Sequence, residues 1–205
     1  MPSESKSASV EQGYGDDRGE RLGMLPAESM DDQQSAAAKA LIEGPRKGVF
    51  GPFVPLLRTP ELLERVGKLG ECLRFESGLD ARVRELVTCT VARHVSNQFE
   101  WLMHAPLALS AGVSETTLEA VRLGARPHYL PADEEVALDF CRELLTTHDV
   151  SNPTYERLRT IFGEKGIVEL TTLVGYFAMV SWLMNVARTP AHRGLVSDPL
   201  GGFPN

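Results

Sequence analysis

Apolar residues recur every three or four positions through most of this chain, a period that predicts helices. Leu62, Leu63, Val66, Leu69 and Leu73 form one such stripe. Thr59 opens it as N-cap, with Pro60 at the first helical position. A second helix follows Asp80, carrying Val83, Leu86, Val87, Val91 and His94 on one face and Glu85, Cys89 and Ala92 on another. A third begins at Ser96 or Asn97 and runs to Gly112, a suitable residue just past a helix C-terminus. Pro106 inside it removes one backbone donor and leaves the Leu102 carbonyl unpaired, so a mild kink is expected after His104. Ser114 caps the next helix, Val113 and Leu118 make a hydrophobic staple, and the helix ends near Gly124. Asp133, Glu134 and Glu135 place carboxylates where a helix dipole favours them and open a helix to about Thr147. Asn152-Pro153 opens another, which closes at Gly163.

Upstream the pattern is weaker. Residues 1 to about 28 are rich in Ser, Gly, Asp and Glu and read as a disordered tail. Asp31 or Asp32 starts a short helix through Ile42, stopped by Gly44-Pro45. Gly48 to Leu57 is apolar but punctuated by Gly and Pro, which predicts an ordered extended loop over an apolar surface. No segment alternates with period two and no hairpin signal appears. The expectation is an all-α protein: a tail over 1–28 and a single helical domain over 29–205.

The longest apolar run, Ile167 to Ala187, is long enough for a membrane span. Glu169, Thr171, Thr172, Ser181 and Asn185 interrupt it, so it reads as a buried helix of a core or subunit interface. The chain has 205 residues, 42% of them hydrophobic and 24% charged, as in an ordinary soluble protein. A net charge of -7 argues against non-specific nucleic-acid binding. Cys72, Cys89 and Cys141 stand far apart, without zinc or dithiol spacing. Their odd number and the polar, acidic N-terminus, which lacks a signal-peptide core, point to the cytoplasm.

Most of the candidate chemistry lies between Leu79 and Gly112. Glu100 and His104 are four apart and share a helix face. Glu85 precedes the break at Ser96-Asn97 by roughly 15 Å of helix, and His104 follows it by roughly 12 Å. If the two helices fold back on each other, both carboxylates and the imidazole share one pocket. His104 is then a general acid or base, or a core histidine bonded to backbone. Glu100 either orients His104 or closes a capping box with Asn97. Glu85 has Arg82 and Arg84 as alternative partners. Cys89 is a candidate for the pocket lining or an apolar filler, Trp101 a candidate wall, and Asn97 a candidate oxyanion donor. Arg93 either anchors a substrate carboxylate or lies on a solvated face. His94, His128, His148 and His192 have no partner at a telling spacing. The Glu-x-x-x-His spacing is not the metal motif of helical bundles, so no metal is expected.

The stretch ARVRELVTCTVARHVSNQFEWLMHAPLALSAGVSETTLEAV, with GPFVPLLRTPELLERVGKLGECLRF before it and FGEKGIVELTTLVGYFAMVSWLMNVARTP after it, resembles the carboxymuconolactone decarboxylase family. That family includes the AhpD-type alkylhydroperoxidases. The resemblance implies an AhpD-like helical bundle assembled as homotrimers or homohexamers. In the peroxidase branch a Cys-x-x-Cys precedes a histidine by three further residues, with a glutamate upstream. His104 and Glu85 match the histidine and glutamate, while Asn97 and Glu100 stand at the cysteine positions, so thiol peroxidase activity is not expected. The chain sides with the decarboxylase branch, which works without cofactor. The implied function is a lyase acting on a small carboxylated lactone or related ring, with His104, Glu100 and Glu85 catalytic. The alternatives are a non-enzymatic oligomeric binding protein of the same fold, or a metal-dependent oxidoreductase using Glu85, Glu100 and His104.

Overall fold

A computed structural model describes residues 9–13, 19–44, 46–192 and 198–201. The elements are α1 (Asp32–Glu43), a single helical turn α2 (Phe53–Leu56), α3 (Pro60–Glu71), α4 (Ala81–His94), α5 (Gln98–Ala111), α6 (Glu115–Arg122), α7 (Ala132–Thr147) and α8 (Asn152–Ala187). A π-helical turn, Cys72–Glu76, prolongs α3. The class is all-α. Among the described residues the extended structure is one two-residue ladder, in which Ser9 and Val10 pair antiparallel with His192 and Ala191.

Local chemistry sets the ends of these helices. Asp31 and Gln34 form a reciprocal capping box at α1. Ser114 Oγ accepts from Thr117 N at 3.0 Å and starts α6, and Val113 and Leu118 are buried in one cluster beside it. Gly112 ends α5 in the left-handed region that favours glycine, with φ 103°. Helix α5 runs through Pro106. Gly163, with φ 64° and ψ 179°, breaks α8 where a chain stop was expected. The 48–57 segment differs from the extended loop foreseen. It winds into α2, and Phe53, Val54, Pro55 and Leu56 are all buried.

Helix α4 is the centre of the bundle, packed against α5, α7 and α8. Val83, Val87 and Val91 face a core shared with Val136, Phe140, Leu170 and Leu173. Leu86, Cys89 and Ala92 face a second core with Trp101, Leu102, Leu118 and Leu138. Burying each of these larger side chains stabilises the fold by about 1.5–3 kcal/mol, so α4 is fixed from both sides. Among the described residues one helix, α8, is long and apolar enough to cross a membrane by length and composition, and half of its most apolar window is buried inside the bundle.

Part of the stretch expected to be a tail touches the bundle. Residues 1–8 and 14–18 lie outside the described residues. Gln12 is buried; its Nε2 donates to Ser96 O at 2.9 Å and its Oε1 accepts from Gln98 N at 2.8 Å. Arg21 N donates to Ala187 O at 2.8 Å.

Candidate active site

The break between α4 and α5 folds them antiparallel, which returns Glu85 to the level of His104. Their side chains meet: His104 Nδ1 lies 2.6 Å from Glu85 Oε2, and His104 Nε2 lies 3.2 Å from Glu100 Oε2. All three side chains are buried. Burial by itself pushes the imidazole down. The hydrogen bonds and charges of Glu100 and Glu85 outweigh it and raise His104 to about 9. Burial also pushes the Glu85 carboxyl up, but the bond and charge of His104 bring it below the ordinary carboxylate value. At neutral pH His104 is therefore an imidazolium, with Glu85 Oε2 at one ring nitrogen and Glu100 Oε2 at the other. The ring also meets Phe177 edge-on, centroids 5.0 Å apart.

The capping alternative for Glu100 is decided by two hydrogen bonds. Asn97 Oδ1 accepts from Glu100 N at 2.8 Å, so Asn97 does cap α5. The reciprocal half is missing, because Asn97 N donates to Ala92 O at 2.8 Å. The Glu100 carboxylate is thus left for His104. Glu85 keeps a weaker link to Arg84, 3.7 Å away, while Arg82 pairs with Asp133 and Glu134.

Glu100 and His104 form part of the wall of a cavity of about 220 Å³. The remaining wall is largely aromatic: Phe50, Phe53, Phe75, Phe99, Tyr176 and Phe177. Glycines permit this packing. A Cβ at Gly51 (φ +59°) would lie 2.5 Å from the Phe99 ring, and one at Gly70 would lie 2.2 Å from the Tyr176 hydroxyl. Burial pushes the Tyr176 phenol up to about 12, so it stays protonated.

Four residues expected in the pocket stand elsewhere. Asn97 is fully buried, and its Nδ2 donates to Asn185 Oδ1 at 2.7 Å and Ser181 O at 3.2 Å, so it has no donor left for an oxyanion. The indole of Trp101 points away, with Nε1 donating to Asp198 O at 2.8 Å. Cys89 is sealed in the second core, where burial and the nearby carboxylates raise its thiol well above the usual range. Arg93 lines a separate cleft with His94 and Arg142. None of the four lines the cavity.

The cavity also contains Arg46, Arg74 and Tyr176, which sequence reasoning did not select. Arg74 sits on the π-helical turn, where the helical period changes. Arg46 sits in a linker without periodicity. Tyr176 was hidden in the apolar run of α8.

The sequence profile of the carboxymuconolactone decarboxylase family matches residues 60–141. The matched segment carries Arg74, Glu85, Glu100 and His104, while Arg46, Phe50, Phe53, Tyr176 and Phe177 line the cavity from outside it. No curated protein matches the chain.

Solved structures with the same fold include an uncharacterised peroxidase-related protein from Ralstonia eutropha, described as an alkylhydroperoxidase AhpD core. It is 14% identical, with a TM-score of 0.67, covering 83% of this chain and 90% of its own. A peroxidase-related protein from Silicibacter sp. is 18% identical, with a TM-score of 0.67, covering 86% of this chain and 95% of its own. A debrominase in complex with 2,3,4-tribromopyrrole is 12% identical, with a TM-score of 0.63 and coverage of 85% and 92%. At these identities the likeness shows the fold, which is AhpD-like.

Proposed function

We propose that this protein is an enzyme of proton transfer, a lyase or decarboxylase acting on a small carboxylated lactone or related ring without a dithiol. The observation that carries the reading is His104 held between Glu85 at 2.6 Å and Glu100 at 3.2 Å beside a largely aromatic cavity. Glu100 and His104 face the cavity, and Glu85 holds the far ring nitrogen. Loss of carbon dioxide breaks a carbon–carbon bond and leaves its electron pair on the substrate. A conjugated carbonyl takes up that pair, and the carbon is then protonated from the His104–Glu100 pair. Tyr176 is the donor for the developing oxyanion: it lines the cavity, and its hydroxyl has no hydrogen-bond acceptor among the described residues.

A metal fits this donor set poorly, since each imidazole nitrogen already faces a carboxylate oxygen. Cys72, Cys89 and Cys141 all stand outside the cavity lining, which supports a thiol-free reaction. Turnover of a panel of small carboxylated lactones by Glu100→Gln, His104→Gln and the double variant tests the proposal. Each single change is expected to cost roughly 10²–10⁴-fold, and the double little more than His104→Gln alone. Full activity in Glu100→Gln, or additive losses in the double variant, contradicts it.

A further inference from the structure

We infer that Arg46 and Arg74 form a carboxylate-binding subsite in the cavity wall, which selects small planar carboxylates and sets which carbon faces His104. The inference rests on the acid–base reading of the same cavity. Arg46 leaves the α1–α2 linker with its side chain only 10% exposed. Its guanidinium is fixed on three sides: it lies 4.2 Å over the Phe53 ring, Nη2 donates to Gly67 O at 3.2 Å, and Glu71 Oε1 stands 3.6 Å from Nε. Its buried Nε–H makes no hydrogen bond among the described residues. Arg74 comes from the π-helical turn and lies 5.3 Å from the Phe75 ring centroid. Among the described residues it has neither ion pair nor hydrogen bond.

A guanidinium buried to this degree normally has a carboxylate partner. Here the nearby Glu71 is 38% exposed and its oxygen stands beyond hydrogen-bonding distance. Two planar forks lining one cavity suit a carboxylate, which accepts paired N–H donors. The aromatic wall suits a flat body, and about 220 Å³ admits a single substituted ring. The bound carboxylate is one that stays on the molecule. Arginines on the departing group would stabilise the ground state over the transition state and slow the reaction. The other cationic cleft is a weaker anion site, because Arg142 already donates to Ala125 O at 3.1 Å and Gly124 O at 3.5 Å.

Calorimetric titration of the full chain with benzoate, and with benzamide as its neutral isostere, tests the subsite without any need for turnover. Benzoate is expected to bind roughly tenfold or more tightly than benzamide, and to shift the His104 ring resonances. Arg46→Gln and Arg74→Gln are each expected to weaken benzoate roughly tenfold or more. Arg74 is half-buried and lacks structural bonds, so its variant folds even if Arg46→Gln does not. Four results overturn the subsite: no benzoate binding, equal binding of benzamide, unchanged affinity in folded Arg74→Gln, or binding that leaves His104 unmoved and is lost in Arg142→Gln. Discrimination between benzoate and benzamide combined with full turnover in Glu100→Gln would instead keep the subsite and remove the acid–base reading.

Discussion

Asn97, Glu100 and Tyr176 show how neighbouring polar residues take different work. Asn97 spends its oxygen on the first turn of α5 and its amide on α8, so it holds the site's geometry without touching its contents. Asn97→Ala is expected to cost about 2 kcal/mol in a denaturant melt. Glu100 lies three residues later, where the sequence is compatible with both capping and catalysis. The Asn97 backbone N–H decides the matter by turning to Ala92. Tyr176 makes the opposite forecast to Asn97. Its hydroxyl has no acceptor among the described residues, so Tyr176→Phe is expected to leave the melting temperature nearly unchanged and to lower turnover by roughly 10²-fold. A loss of stability without loss of turnover would assign it to packing.

At the scale of elements, regular helices were legible because their apolar period repeats over several turns, as in Val83–Val87–Val91 of α4. The i, i+4 pair Glu100–His104 was legible for the same reason, and the antiparallel turn brought Glu85 to it. What periodicity could not reveal lies where the period changes or is absent: the π turn that carries Arg74, the linker that carries Arg46, and the single turn α2. The terminal segments were the other gap, because polar composition predicts disorder and says nothing of specific bonds. Gln12 joins Ser96 and Gln98, while Gln98 also pairs with Leu200 N and O at 2.9 and 2.8 Å. Together they clasp the first residue of α5, one turn from the catalytic pair. Gln12→Ala is expected to cost about 1–2 kcal/mol and to speed hydrogen exchange at the Gln98 amide. Unchanged exchange there would show that the clasp does not steady the helix start.

For the whole molecule, α8 leaves one stripe uncovered. Val168, Gly175 and Trp182 repeat at seven residues, Thr172, Met179 and Val186 follow four behind, and Val168, Trp182 and Val186 are more than half exposed. That is the spacing of a helix–helix seam, and it supports the proposal of a homotrimer or a dimer of trimers. Light scattering is expected to report such an assembly, with Trp182→Glu weakening it; a stable wild-type monomer would contradict the proposal.

The buried ion pairs also tie global stability to pH. His104 is raised in the fold, so its contribution is complete below its ordinary 6.5 and is lost as pH rises through about 9. Glu85 is lowered, so its contribution is present above its ordinary 4.5 and is lost as pH falls through its folded value. Stability is therefore expected to peak between these limits, with denaturant midpoints that fall on either side. The most direct test of the central claim is an NMR titration of the His104 ring in the intact protein. The double-carboxylate cradle predicts a midpoint near 9 that drops toward the ordinary value in Glu100→Gln and Glu85→Gln; a wild-type midpoint at or below 6.5 would contradict it.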